Sequence, residues 1–474
     1  MKLDGFLQKE YNYNPEVKNN IQTYITQWES WYRGNVADFH NYYIYNGNRK
    51  LKQKRYTLNM AKEISEDWSD ILWSEKCKIS LKDEASQKVF DDLTDDLDLY
   101  AIINQALEKS GALGTVATVT SVYDIVQNED SMILDTSEAK LRVDVVDVDN
   151  IYPLSWTNKG ITECAFASDH YYKGEKYIVL SVHLLDKDIY KIKNHLFRET
   201  NGNLTELINE DTLSEFDTKS NVKWFSIFKP LLTNNLFASS PFGIPHYANS
   251  LDRLKVVDLA FDSLQNELKL SKKRIFVRAD MFNYDNGTQK LTFDPEDASI
   301  YQLPTGATKD DLIQPDVDKL RTADYIEALN TSLNVLGDSV GFGENHYHFD
   351  GTNLSTATAV VSSNSKLFRR KKKLEIGYES SIFDLVNSIC YASSLIGDKI
   401  NNQDMVIQFD DSIIEDKEAE SIRALREVTN DIISRPEYRT KIFGETEEIA
   451  NEKIKQIDEE MKKQNNNDEE EEEE

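Results

Sequence analysis

The stretch from Leu320 to Ile396 constrains the fold most, because it demands a helix, a break, and then a helix far longer than globular domains ordinarily use. Ala323, Ile326, Leu329, Leu333 and Leu336 recur at spacings of three and four, which places them on one helix face, and Gly337 is read as that helix's end. Gly337 to Leu354 (GDSVGFGENHYHFDGTNL) carries four glycines and no helical period, which predicts a mobile, exposed loop. From Ser355 to Ile396 there is no proline and a single interior glycine, Gly377, so one helix of about 60 Å fits, with Gly377 as the place for a bend. A helix of that length entered from a loop suits a strut in an assembly better than a catalytic floor.

Charge narrows the function classes. The chain has 474 residues, enough for two or three folding units, and a net charge of −28. Seven of those charges sit in Asp468 to Glu474, and the first 467 residues still carry −21. Tight wrapping of nucleic acid rests on Lys and Arg displacing counterions from phosphates, so an acidic body disfavours it. A surface past which a polyanion slides is a different case, since a deep electrostatic well there would act as a brake. Cys77, Cys164 and Cys390 are far apart and odd in number, which argues against a disulfide framework or a cysteine zinc site and fits a reducing compartment. The N-terminus lacks an apolar signal core and no long apolar run occurs, so neither secretion nor a membrane partner is expected.

Taken in order, Asn14 and Pro15 open a helix whose stripe is Val17, Ile21, Tyr24, Trp28 and Trp31, up to Gly34. An aromatic loop (NYYIYNG, Asn41 to Gly47) follows, and then Leu58, Ala61, Ile64, Trp68 and Ile71 mark a second amphipathic helix capped by Thr57. These aromatics have the chemistry to stack on bases, but the tryptophans lie on the apolar stripes and read as core. After an acidic helical region, Glu84 to Lys109, five segments alternate β-branched, aromatic and polar residues between Thr115 and Phe228, which predicts a mostly antiparallel β lobe. Pro230 to Pro245 is an irregular connector. The helix His246 to Lys273 carries the near-heptad seam Leu254, Val257, Phe261, Leu264 and Leu268, suited to packing beside another long helix. Arg274 to Lys319 returns to strands and turns, a small module inserted between two helices. Met405 to Asp410 reads as a short strand, Glu415 to Lys463 as charged and helical, and the final acidic run as disordered.

Chemistry-bearing clusters are few. Asp144, Asp147 and Asp149 resemble hard-cation ligands, but a strand would put Asp144 on the face opposite the other two. His346 and His348 with Asp350 make half a metal site without a further ligand. Arg369, Arg370, Lys371, Lys372 and Lys373 spread around a helix at 100° per residue and cannot all face one partner; pairing with acids of an adjoining subunit is expected for some. No phosphate-binding GxxxxGK[ST], HExxH, GxSxG or paired-Cys motif occurs, so no enzyme activity, cofactor or metal is expected.

In this order the parts resemble the portal protein of tailed bacteriophages, and local stretches resemble that family's branch from siphophages of Gram-positive hosts. The stretches are WYRG (Trp31 to Gly34), YPLSWTNKGITECAF (Tyr152 to Phe166), SPFGIPHYANSLDRLKVVDLAFDSLQNELKLSKKRIFV (Ser240 to Val277) and FDGTNLSTATAVVSSNSKLFR (Phe349 to Arg369). The resemblance implies an α+β portal fold: a wing over 1–245, a stem of 246–273 and 320–336, a small α/β clip over 274–319, a tunnel loop over 337–354, a spine helix over 355–400, a helical crown over 401–463 and a disordered acidic tail over 464–474. It implies a dodecameric ring at one capsid vertex through which double-stranded DNA is packaged and ejected. The implied partners are other copies of the chain, the large terminase subunit, a head–tail adaptor, and the major capsid and scaffold proteins, with host cytoplasm as the place of assembly. Asn345, His346, Tyr347, His348 and Lys366 are the expected channel residues, and Leu254, Val257, Phe261, Leu264 and Leu268 the stem packing. The alternatives are a minor capsid or scaffold-like interaction protein and, as a third class, a metal-dependent nuclease.

Overall fold

The computed structural model describes residues 2–46, 49–123, 126–127, 134–135, 139–207, 215–237, 240–270, 274–278, 300–303, 313–316, 320–349, 357–397, 400–402, 404–410, 424–430, 432–443 and 449–457. The chain divides into two compact units, Met1–Phe409 and Asp410–Glu474.

The first unit opens with helices α1 (Leu3–Tyr11), α2 (Glu16–Tyr32) and the single turn α3 (Ala37–His40). The stretch read as an aromatic loop is instead a hairpin, β1 (Asn41–Asn46) with β2 (Arg49–Lys54), in which Tyr43 faces Lys52 and Tyr45 faces Lys50. Alternating aromatic and polar residues on both sides of a short turn favour strand pairing over an open loop. Helix α4 (Met60–Leu72) begins two residues later than the Thr57 cap implied, because the Thr57 hydroxyl accepts from Asn59 N–H while donating to Asp258, and Asn59 adopts a left-handed conformation. Its Ile64, Trp68 and Leu72 are buried.

Strand β3 (Lys78–Ser80) precedes α5 (Glu84–Asp96) and α6 (Leu99–Leu113); the single helical region expected there breaks at the left-handed Asp98. Helices α4 and α6 pack antiparallel, since Lys62 pairs with Glu108 at one end and Asn104 donates to Asp70 at the other.

The β lobe comprises β4 (Val116–Tyr123), the two-residue strands β5 (Val126–Gln127) and β6 (Leu134–Asp135), β7 (Lys140–Asp147), β8 (Ile151–Thr157), β9 (Gly160–Tyr172), β10 (Glu175–Asp186), β11 (Ile189–Thr200), β12 (Asn203–Leu207), β13 (Glu215–Asp217) and β14 (Phe225–Phe228). A six-stranded antiparallel sheet runs β12–β11–β10–β9–β8 with β13 on β11, and a three-stranded one runs β14–β4–β7. Helix α1 covers the large sheet, where Phe6, Leu7 and Tyr13 meet Tyr152, Leu180, Val182 and Phe197. The acids once weighed as a metal site have other partners: Asp144 pairs with Arg142, Asp147 with Lys109, and Asp149 accepts from Gln22.

The described connector after β14 is irregular, and its stretch 241–247 is buried. Tyr247 is fully enclosed with its hydroxyl 2.8 Å from Ala112 O and 3.0 Å from Trp28 O, and His246 N–H donates to Gly111 O. Gly114 and Gly243 make this possible: a Cβ on Gly114, whose φ is +83°, would lie 2.6 Å from Gly243 O, and one on Gly243 would lie 2.5 Å from Gly114 O. Backbone cannot yield as a side-chain end can, so Gly114→Ala is expected to cost about 2–4 kcal/mol, from strain and overpacking together. Chemical denaturation against wild type measures it, and a loss below about 1 kcal/mol would contradict this packing.

The helix expected as part of the stem, α7, is Leu251–Leu270 and does not start at His246, which is held in the connector against Trp68. Beyond it, β15 (Arg274–Arg278) pairs parallel with β16 (Ile300–Leu303) and antiparallel with β17 (Ile313–Asp316); the rest of the expected clip lies outside the described residues. Helix α8 (Thr322–Val340) packs along α7. Gly337 does not end α8: it is buried in the helix, and a Cβ there would come 3.2 Å from Gly343 O and 3.4 Å from the Tyr347 ring, so it serves close approach. The helix ends at Gly341, with φ of +103°.

Helix α9 runs unbroken from Ala357 to Ile396, about 60 Å at 1.5 Å per residue. Leu374, Tyr378, Ile382, Leu385 and Ile389, at helical spacing, are buried, and α9 packs on the β14–β4–β7 sheet and on α4. Hydroxyls fix the register, with Thr120 to Ser388 at 2.6 Å, Ser226 donating to Ser381 O and Ser110 meeting Tyr378. At Gly377 the helix is crossed by Leu231, whose Cβ would sit 2.7 Å from an added methyl, so the glycine admits a neighbour. Strand β18 (Val406–Gln408) pairs with β3 inside the first unit, which places the division between units at Asp410, later than the expected start of the crown at Asn401. The second unit holds helical residues 424–429, Arg435–Phe443 and 449–457; the acidic tail lies outside the described residues.

Candidate functional site

The segment joining α8 to α9 is the candidate site, and its described part, 341–349, is folded onto the protomer instead of standing free. An added methyl on Gly341 would meet Arg370 Cγ at 2.8 Å and Trp68 Cζ2 at 3.3 Å, so α8, α4 and α9 converge there. From this joint a column of rings builds outward. His246 lies against Trp68 (5.5 Å), Trp68 stacks on Phe342 (4.6 Å), and Phe342 stacks on His346 (4.3 Å, 6° between planes). Offset stacking of this kind adds about 0.5–1.5 kcal/mol per pair beyond burial.

Polar anchors hold the outer turn. Tyr347 donates its hydroxyl to Asp67 Oδ2 at 2.7 Å, with His346 Nε2 3.5 Å from the same oxygen. Burial, with the negative Asp67 alongside, pushes the Tyr347 hydroxyl far above the usual phenol range, so it stays a donor. Asn334 and Asn330, one turn apart on α8, accept from Asn345 N–H and Phe349 N–H at 3.1 and 2.9 Å, laying the segment back along the helix. Asn345 adopts φ +65°, which asparagine tolerates better than most residues.

Of the expected channel residues, the structure brings Asn345, His346, Tyr347 and His348 together. Asn345 is exposed, and the His346 ring keeps about 30% of its surface. Tyr347 is turned inward and His348 is half-buried, with both ring nitrogens enclosed. Lys366 is a separate case: its ammonium lies 2.5 Å from Asp338, tying α9 to α8. The neighbourhood is acidic, and burial with Asp67 and Glu66 nearby raises the Glu63 carboxyl. Asp350 and residues 351–354 lie outside the described residues, and among those described no group of three potential ligands is placed to hold a metal.

The cationic run on α9 is not solvated all round. Lys371 is fully buried with its ammonium 2.7 Å from Glu375, Lys372 reaches the other Glu375 oxygen at 3.2 Å, Arg370 is half-buried, and Lys373 is exposed. Glu375, which both Lys371 and Lys372 meet, is on the same helix.

The stem seam divides. Leu254, Val257 and Leu264 are buried, facing a helix α8 whose Leu329, Leu333 and Leu336 are buried too; Phe261 is half-buried edge-on to Phe349, and Leu268 is 48% exposed. Sequence reasoning missed the two aspartates set into this helix. Asp258 accepts from His40 Nε2, Thr57 Oγ1 and Leu58 N–H, each at 3.0 Å, and Asp262 accepts from Tyr56 N–H at 3.0 Å. Val36 N–H donates to His40 Nδ1, which leaves Nε2–H to donate to Asp258. Two carboxylates one turn apart thus fasten α7 to the chain leaving β2. Their i, i+4 spacing beside an apolar seam was the available signal.

Comparison with known proteins gives these elements a context. The sequence model described as "Phage portal protein, SPP1 Gp6-like" matches residues 13–467. None of the curated protein sequences compared with the chain matches it. Among solved structures, a chain from the "Neck of native GTA particle computed with C12 symmetry" aligns at 9% identity with a TM-score of 0.38, covering 81% of this chain and 88% of that one. The assignment rests on the sequence model alone, which spans nearly the whole chain: this protein belongs to the SPP1 Gp6-like phage portal protein family, a structural family of the phage capsid vertex whose members form oligomeric rings joined to other head and tail proteins.

Proposed function

We propose that the chain assembles into a dodecameric ring whose bore passes double-stranded DNA during packaging and ejection, in a phage of the siphophage branch from Gram-positive hosts. The observation that carries this is the family match over 13–467, together with an unbroken α9 preceded by a folded turn of channel-loop size. The large terminase subunit docks on the clip, 274–319, and supplies the packaging energy, which agrees with the lack of a nucleotide-binding motif in this chain. A head–tail adaptor, the major capsid protein and scaffold protein are the remaining partners, met in the host cytoplasm.

Within the expected channel set the geometry favours Asn345 and His346, whose side chains are open, as the groups that touch passing DNA. Tyr347 and Lys366 act as anchors, because each is already committed to an aspartate. An acidic body around such a bore repels a polyanion weakly from all sides and lowers its friction. Mass photometry of the purified full-length chain tests the reading. Twelve copies of 54.6 kDa should appear as a species of about 655 kDa. A dimer as the largest species across the accessible concentration range would contradict it.

A further inference from the structure

We propose that the β1–β2 hairpin is an interface element that docks on the outer face of α5 in the next copy of the chain. The inference rests on the ring reading and specifies one of its contacts.

The hairpin is exposed on both faces. The register puts Tyr43, Tyr45, Lys50, Lys52 and Lys54 on one side, with Lys50 Nζ 4.0 Å from the Tyr43 ring, and Ile44 and Leu51 on the other. Tyr43 is 52% exposed, Tyr45 72%, Ile44 47% and Leu51 42%. A two-stranded hairpin with neither face covered is marginal in water. Its root is nevertheless firmly built: Arg55 N–H donates to His40 O, the Arg55 guanidinium lies 4.3 Å from the Phe39 ring, and Asp258 and Asp262 grip the exit strand. A rigidly mounted, uncovered, apolar and basic projection is built to be covered by something else.

Charge identifies the occupant. In a chain of net −28, residues 39–62 contain six Lys or Arg and no acid. The opposite composition occurs on α5, where Asp91, Asp92, Asp95 and Asp96 are exposed on one side of the helix and Lys88 is the only cation. Asp92, Asp95 and Asp96 are exposed, and the Tyr100 ring, exposed and stacked on Trp73, lies near Asp91 and Asp95 at the start of α6. The hairpin leads into the N-terminus of α4, while Asn104 and Trp73 mark where α6, against which α5 packs, meets its C-terminus, about 20 Å away. Two unlike patches at separate places on one protomer make a heterologous contact, the kind that closes rings. DNA fits less well, because the chain that carries the hairpin has a net charge of −28. The Tyr43 and Tyr45 rings, on the same face as the lysines, supply the affinity and the charges the register, since exposed ion pairs alone contribute little.

The test joins Lys52→Cys and Asp95→Cys in one chain and treats assembled rings with a short bismaleimide; Cys77, Cys164 and Cys390 are all buried, so background is low. A ladder of covalent oligomers on denaturing gels is expected from the double variant and from neither single variant. In parallel, Lys50→Glu/Lys52→Glu/Lys54→Glu should raise the concentration needed for ring formation at least tenfold, and adding Asp92→Lys/Asp95→Lys/Asp96→Lys should restore it. All six side chains are exposed, and circular dichroism verifies folding. Rings that form normally but give no ladder, or charge-reversed hairpins that assemble like wild type, would overturn the docking while leaving the ring reading intact. Loss of DNA binding with assembly unchanged would also overturn it and give the hairpin to DNA. Failure of the wild type to form rings at all is the separate failure of the ring reading.

Discussion

Replacing Glu375 by alanine is expected to lower the unfolding free energy by about 3 kcal/mol, because the substitution removes the carboxylate that a buried ammonium faces. Lys371 has no exposed surface, and Glu375 is 5% exposed and reaches Lys371 at 2.7 Å and Lys372 at 3.2 Å. An ion taken out of water is tolerable only while its counter-charge is present. Exchanging both partners for apolar residues of similar length, Lys371→Met with Glu375→Leu, should therefore recover most of the loss. Urea unfolding followed by tryptophan fluorescence measures both. A single-variant loss under about 1 kcal/mol, or a double variant no better than the single, would show that the pair is not coupled.

Acid should weaken the fold through two histidines that stay neutral inside it. Burial lowers His183 and His246 from 6.5 to about 3, His183 among the rings of Phe166 and Phe225 and His246 against Trp68 with Arg370 adding repulsion. Between those two values the unfolded chain binds the protons and the folded chain does not. Stability is thus complete above about pH 6.5 and falls as pH drops toward 3, by about 3 kcal/mol per histidine at pH 4. Carboxylates titrate in the same range, so the informative quantity is a difference. His183→Phe, which suits its aromatic surroundings, should lose about 3 kcal/mol less than wild type between pH 7 and pH 4. Parallel pH profiles for the two proteins would contradict a neutral buried His183.

What the sequence revealed and what it hid follow from the range of the interactions involved. The stripes on α2 and α4 and the length of α9 were legible because helical periodicity is local: Ile21, Trp28, Ile64 and Trp68 all reach the core. Gly337 was misread because a glycine inside a helix looks like an end until its neighbours, Gly343 and Tyr347, are known. The folded state of 341–349 was hidden for the same reason, since its glycines and polar residues signal a free loop while its anchors, Asp67 and Trp68, lie some 280 residues earlier. Lys371 sat in a cationic run whose partners were expected on an adjoining subunit, and Asp258 in a helix that reads as an apolar seam. In both cases a partner, Glu375 one turn on or His40 and Thr57 about 200 residues back, decides the matter. Of the expected channel residues, Asn345 and His346 stay exposed, while Tyr347 and Lys366 are each tied to an aspartate.

Electron microscopy of the purified full-length chain, with class averages viewed down the symmetry axis, tests the channel-forming role most directly. Rings of about twelve subunits around an open central hole are predicted. A closed particle with no axial opening would contradict it.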